Sequence, residues 1–169
     1  RIPLSFEIII RLSDELHKNV EGSFCLIIGI PSFGMIAIRD KSGIRPLSYG
    51  MNEQNDYLVS SESCSFNHTD FNYVNDIQPG ETIYFNKFEK KHYVYKNLGQ
   101  EKIEFKPCLF EYIYFSRVDS KFNSITIYKF RKLLGELLGK KLKGKKFDII
   151  VPVPDTSRSY AHSISNCLS

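Results

Sequence analysis

The sequence predicts an antiparallel α+β segment followed by the opening of an α/β segment. Three observations carry this. Up to about residue 96, short apolar runs alternate with polar turns marked by Gly or Pro, as antiparallel strands do. Residues 97–106 then lose that pattern and become charged, which reads as a domain boundary. Beyond it an amphipathic helix, an unbroken apolar run and a second helix follow one another, the order of a helix–strand–helix unit in an α/β domain.

Residues 4–20 predict a helix, because Phe6, Ile9, Ile10, Leu12, Leu16 and Val20 form a broad apolar face at helical spacing. Glu21-Gly22 ends it. Residues 23–30 and 34–38 predict two strands joined by Pro31-Ser32-Phe33. The charged stretch from Arg39 and Asp40 through Gly43 to Arg45-Pro46-Leu47 is a turn centred on Gly43. Two arginines and an aspartate there would suit an anion. The simpler reading is that they fix the turn, with Asp40 accepting local backbone N–H groups and Gly43 taking a positive φ. Residues 57–60 read as a further strand, and Ser61-Glu62-Ser63 as the start of a short helical turn. Residues 81–85 and 92–95 read as a hairpin around polar residues 86–91. Past the boundary, Glu111-Tyr112-Ile113-Tyr114-Phe115 alternates with strand period. Residues 124–142 predict a helix with Ile127, Phe130, Leu133, Leu134, Leu137 and Leu138 inward. Residues 146–153 predict a strand buried on both faces, and residues 157–168 a second helix.

Composition narrows the function classes. Hydrophobic content of 42% and charged content of 25% are those of an ordinary soluble globular protein. No apolar run approaches the roughly 20 residues a membrane span needs. The net charge of +4 is concentrated in Lys140, Lys141, Lys143, Lys145 and Lys146. No aromatic residues interleave with them as on a single-strand binding surface, so they read as a solvated helix end rather than a nucleic-acid site. Cys25, Cys64, Cys108 and Cys167 are widely spaced, which argues against a disulfide framework or a zinc site and for a reducing, cytoplasmic setting. Cys25 and Cys64 read as small buried hydrophobes. His17, His68, His92 and His162 are scattered and read as surface or satisfied residues.

Val153-Pro154-Asp155-Thr156-Ser157 is the strongest site candidate. An apolar run ends here in a turn, and hydroxyls open a helix. Such hydroxyls serve as N-caps, and the same helix end can receive phosphate through free N–H groups and the dipole. A ligand crevice at the carboxyl end of a parallel strand has this layout.

Several strings, in order, resemble the glutamine phosphoribosylpyrophosphate amidotransferase family. They are Arg39-Asp40-x-x-Gly43-x-Arg45-Pro46-Leu47, Val59-Ser60-Ser61-Glu62-Ser63 and Asp76-Ile77-Gln78-Pro79-Gly80-Glu81. The run from Pro107-Cys108 through Glu111-Tyr112-Ile113-Tyr114-Phe115 to Arg117-Val118-Asp119-Ser120 follows, then Val153 to Ser157. The resemblance implies that residues 1–105 are the second half of an N-terminal-nucleophile glutaminase sandwich (αββα). Residues 106–169 would be the start of a type I phosphoribosyltransferase domain. The implied activity moves the amide nitrogen of glutamine to phosphoribosyl pyrophosphate, the first step of purine nucleotide synthesis. Implied partners are glutamine, phosphoribosyl pyrophosphate, purine nucleotides and further copies of the same chain, with neither nucleic acid nor membrane.

Residue roles carry over position by position. The resemblance places Tyr114 on the wall of an ammonia channel. It places Asp155, Thr156 and Ser157 at the nucleotide and phosphoribosyl pyrophosphate site, with Thr156 as a Mg2+ contact. Cys108 stands where iron–sulfur members carry a cluster ligand, but Leu109-Phe110-Glu111 is closer to cluster-free members. Val118 replaces the proline of the family's Arg-Pro-Asp-Ser, which loosens that turn. The nucleophilic cysteine, the glutamine-gripping residues and the main phosphoribosyl loop match nothing in this sequence. No catalytic residue is therefore assigned, and the chain alone is expected to be inactive in both half-reactions. Two other expectations remain open: a catalytically dead nucleotide-binding or scaffolding remnant, and a different glutaminase-domain enzyme.

Overall fold

A computed structural model describes residues 5–96 and 104–168. The chain divides into two compact units, Arg1–Cys108 and Leu109–Ser169. Both mix helix and strand.

The first unit begins with α1 (Phe6–Asn19), whose end is marked by Val20 N–H bonding to the Leu16 carbonyl and by Gly22 at positive φ. Strands β1 (Cys25–Ile30), β2 (Gly34–Arg39), β6 (Glu81–Asn86) and β7 (Lys91–Lys96) form an antiparallel sheet in the order β1-β2-β6-β7. A second antiparallel sheet has the order β4-β3-β5, from β3 (Ser48–Met51), β4 (Tyr57–Ser60) and β5 (Asn72–Asp76). A 3₁₀ turn at Ser63–His68 sits between β4 and β5.

Strand alternation sorts the core into two layers. Ile36, Ile38 and Tyr84 face α1 and pack with Ile9. Ala37, Ile83 and Phe85, one step out of phase, face the second sheet and pack with Leu47, Tyr49 and Ile77. A polar seam crosses the first layer, where the hydroxyls of Ser13 and Thr82 lie 2.7 Å apart, both fully buried.

The Gly43 turn has the expected construction. Asp40 carboxylate oxygens accept the N–H groups of Ser42 at 3.0 Å and Ile44 at 3.3 Å, and Gly43 has φ +59. Arg39 and Asp40 are nevertheless buried. The Arg39 guanidinium donates to the carbonyls of Arg45, Gly43 and Ile77, so its charge is spent on the backbone of the turn. The chain then leaves beside this turn, with Lys106 N–H on the Ser42 carbonyl at 2.9 Å and Cys108 N–H on the Ile44 carbonyl at 2.8 Å.

The second unit departs from the sequence reading in three places. Residues 111–115 form one π-helical turn rather than a strand, closed by Ser116 N–H on the Glu111 carbonyl at 3.1 Å. Next comes a minimal hairpin, β8 (Lys121–Phe122) and β9 (Ile125–Thr126). Its two turn residues, Asn123 and Ser124, both have positive φ, as a tight two-residue turn demands. Helix α2 (Ile127–Leu142) ends where predicted but begins three residues later, directly after β9, and turns another face inward. Ile127, Arg131, Gly135 and Gly139 are buried, while Leu133, Leu137 and Leu138 are exposed. The cause is close packing on α3 (Arg158–Leu168), which the glycines permit. A Cβ on Gly135 would stand 2.7 Å from the Tyr160 carbonyl oxygen, and one on Gly139 2.6 Å from Cys167 Cβ. Thirdly, residues 146–153 are not a strand, and Ile149, Val151 and Val153 are over 70% exposed. A buried strand requires neighbours on both sides, and no strand among the described residues pairs with this segment. No described helix is long and apolar enough to cross a membrane.

Candidate functional site

A cavity of about 750 Å³ in the second unit opens at the start of α3. Tyr114 and Phe115 from the π-helical turn form one wall, Arg117 to Asp119 continue it, and Asp155, Thr156, Arg158, Ser159 and His162 line the other side. Residues more than forty positions apart in the chain thus meet at one place. Thr156 Oγ1 lies 3.5 Å from the Tyr114 carbonyl oxygen. The next turn of α3 is tied to the same wall by Tyr160, whose hydroxyl donates to the Ile113 carbonyl at 2.9 Å. Burial pushes the Tyr160 phenol above its ordinary pKa, against the pull of Arg131. The hydroxyl therefore stays protonated and remains a donor.

The charges at the mouth are arranged in pairs. Arg117 grips Asp119 with Nε–Oδ1 3.0 Å and Nη2–Oδ2 3.1 Å. Arg158 Nη2 lies 2.8 Å from Asp155 Oδ1. Both pairs are largely exposed, so each contributes at most about 1 kcal/mol, and an anionic ligand can compete for either arginine. Ser159 Oγ is enclosed by protein and has no hydrogen-bond partner. The Arg117 and Arg158 cations, the Thr156 hydroxyl at the start of α3 and an aromatic wall together suit a phosphate-bearing ligand with a flat or apolar part.

Of the residues singled out by sequence, Tyr114, Asp155 and Thr156 line this cavity. Ser157 does not; its hydroxyl turns back onto the Val153 carbonyl. Cys108 belongs to the first unit and is half-buried. No cluster of three or more His, Cys, Asp or Glu side chains suited to a metal occurs among the described residues. Cys64 is buried as expected, whereas Cys25 is exposed, its thiol within 3.8 Å of the Arg45 and Pro46 carbonyls. His17 is buried and satisfied, its two ring nitrogens 2.8 Å and 3.0 Å from the carbonyls of Ser13 and Arg39. His162, read from sequence as an ordinary surface histidine, lines the cavity with Arg158, one helical turn earlier. Their i,i+4 spacing on a helix opening at a candidate phosphate turn was the available signal.

Curated relatives decide the affinity. Amidophosphoribosyltransferases of Pasteurella multocida and Escherichia coli match at 36% and 32% identity over 92% and 98% of this chain. The chain is a relative of the amidophosphoribosyltransferases. It spans about a third of their length, 32% and 34% respectively. The archaeal amidophosphoribosyltransferase of Methanocaldococcus jannaschii is similar at 33% identity over 88% of the chain. Among solved structures, the glutamine phosphoribosylpyrophosphate amidotransferase of B. subtilis complexed with ADP and GMP superposes with a TM-score of 0.83, at 29% identity. That match covers 99% of this chain and 34% of the other. No family model matches.

Proposed function

We propose that this chain forms part of an enzyme that transfers the amide nitrogen of glutamine to phosphoribosyl pyrophosphate, releasing 5-phosphoribosylamine, glutamate and pyrophosphate. On this reading residues 1–105 belong to a glutaminase domain of the N-terminal-nucleophile class, and residues 106–169 open a type I phosphoribosyltransferase domain. Supporting the first assignment is the layering of α1 on one sheet and that sheet on another. The observation that carries the function is the cavity, which joins Tyr114 to Asp155 and Thr156.

The α3 N-terminus, Thr156 and Arg158 bind the phosphates. Tyr114 and Phe115 hold an apolar wall against which neutral ammonia travels without meeting water. Purine nucleotides, which share the phosphoribosyl group, compete for the same cavity. The donor set fits a Mg2+ carried in by the diphosphate rather than caged by protein, because Mg2+ keeps waters and phosphate oxygens with only one or two protein ligands. Thr156, with Asp155 beside it, would hold that ion, which would supply positive charge beside the diphosphate oxygens. The enzyme acts in the cytoplasm as a homo-oligomer.

The test is calorimetric titration of the chain with phosphoribosyl pyrophosphate, with and without Mg2+. Binding is expected, strengthened by Mg2+ and weakened about tenfold by Thr156→Val, the loss of one polar contact to a charged ligand. No binding by the parent chain, or equal binding by the variant, overturns the reading.

A further inference from the structure

The wall that bears Tyr114 and Phe115 is a single helical turn, and such a turn leaves its last carbonyls without partners inside the helix. Here side chains from elsewhere in the unit supply them. Arg131 Nε donates to the Tyr112 carbonyl at 2.8 Å, and Nη2 to the Ser116 carbonyl at 2.7 Å. The Tyr160 hydroxyl takes the Ile113 carbonyl between them, and Thr156 reaches towards that of Tyr114. Three consecutive carbonyls and a fourth two residues on are thus met from α2, from α3 and from the loop before α3. The opposite end of the turn is also held. The Glu111 side chain is buried and accepts the Ser116 hydroxyl at 2.9 Å.

Arg131 is 1% exposed, so its guanidinium is set among backbone rather than presented to solvent. A planar fork can span two carbonyls four residues apart in fixed orientation; a lysine ammonium, as a point donor on a flexible stem, cannot hold both in register. Its charge also lies at the negative end of the turn, where a cation is favoured.

We propose that Arg131 is a positioning residue for the cavity. By holding the Tyr112 and Ser116 carbonyls it sets the angle at which Tyr114 and Phe115 face the ligand, with Tyr160 as a second strut on the same turn. The proposal rests on the proposed function only for what fills the cavity. The geometry of the wall can be read without any ligand.

The experiment uses the chain with 3-fluorotyrosine in place of its ten tyrosines. Fluorine NMR reports each ring, and the Tyr114 line is assigned by its loss in Tyr114→Phe. Arg131→Lys and Tyr160→Phe are each expected to move the Tyr114 line in the ligand-free chain and to weaken its response to phosphoribosyl pyrophosphate with Mg2+ several-fold. A purely structural role would lower the unfolding midpoint yet leave the Tyr114 line and its titration unchanged in the folded variants; that result overturns the proposal. If Arg131→Lys does not fold, Tyr160→Phe, which removes one hydroxyl, decides alone. Should the parent Tyr114 line ignore phosphoribosyl pyrophosphate, the proposed function fails while the ligand-free shift still decides the role of Arg131.

Discussion

Replacing Gly135 by alanine places a methyl group where α2 and α3 touch. The new Cβ would lie 2.7 Å from the Tyr160 carbonyl oxygen, 2.8 Å from Ser163 Cβ and 3.1 Å from Tyr160 Cα. The shortest of these falls about 0.7 Å short of ordinary contact. Two of the three atoms are backbone, so no side chain can swing aside and the helices must part. Forcing one extra methyl into a packed site costs about 1–3 kcal/mol. Alanine recovers about 1 kcal/mol over glycine in a helix interior. The net expectation is a loss of about 1 kcal/mol, or about 4–8 °C in Tm for a unit of this size. The assay is urea and thermal unfolding followed by circular dichroism, with exposed Lys132→Ala on the same helix as the control, expected within about 0.5 kcal/mol of the parent. A Gly135→Ala midpoint at or above the parent's would mean the helix contact is looser than described, and the account of why α2 turns its glycine face inward would fail.

Arg39→Met strips the donor from three carbonyls, those of Gly43 and Ile77 in buried hydrogen bonds, and is expected to destabilise the first unit by at least about 2 kcal/mol, at about 1 or more for each acceptor orphaned away from water; denaturant midpoints measure it. Ile9→Ala empties a fully buried site between α1 and the sheet, with an expected loss of about 2–5 kcal/mol by the same assay. Burial raises the Glu81 carboxyl above its usual pKa, outweighing the Gln78 N–H bond and nearby cations. Its folded form therefore holds a proton that the unfolded chain releases, and stability falls as pH rises from the ordinary carboxylate range through the raised value. Glu81→Gln, whose amide oxygen can still accept from Gln78, should flatten that fall in a Tm series from pH 4 to 7; an unchanged slope would refute the assignment.

The first unit was largely legible because each of its signals is local. The short apolar runs of β2 and β6, the Gly22 stop and the Gly43 turn all act within a few residues. Strands β3 and β5 escaped notice because Ser-Tyr-Gly-Met and Asn-Tyr-Val-Asn-Asp carry few apolar residues; they are strands by virtue of their partners, not their composition. In the second unit, the large apolar run Tyr112-Ile113-Tyr114-Phe115 satisfies helical and strand periods alike, and carbonyl partners distant in sequence settle the matter. On α2 the leucine stripe outweighed the glycines in any hydrophobicity count, yet steric closeness to α3 determined the buried face. The cavity followed the same division. Tyr114 and Thr156 were readable from motifs, whereas Arg131, Ser159 and His162 join it through tertiary packing.

The Arg39 turn has one further consequence, for how the first unit opens. Arg39 ends β2 of one sheet, and Ile77, whose carbonyl it holds, directly follows β5 of the other. The Asp40 carbonyl, for its part, receives the N–H of Gly80 at 2.9 Å, just ahead of β6. Neither sheet can fray at this end without breaking bonds that belong to the other. Amide protons near residues 38–44 and 76–82 should therefore exchange with solvent in one shared step, with a common free energy and a common response to denaturant.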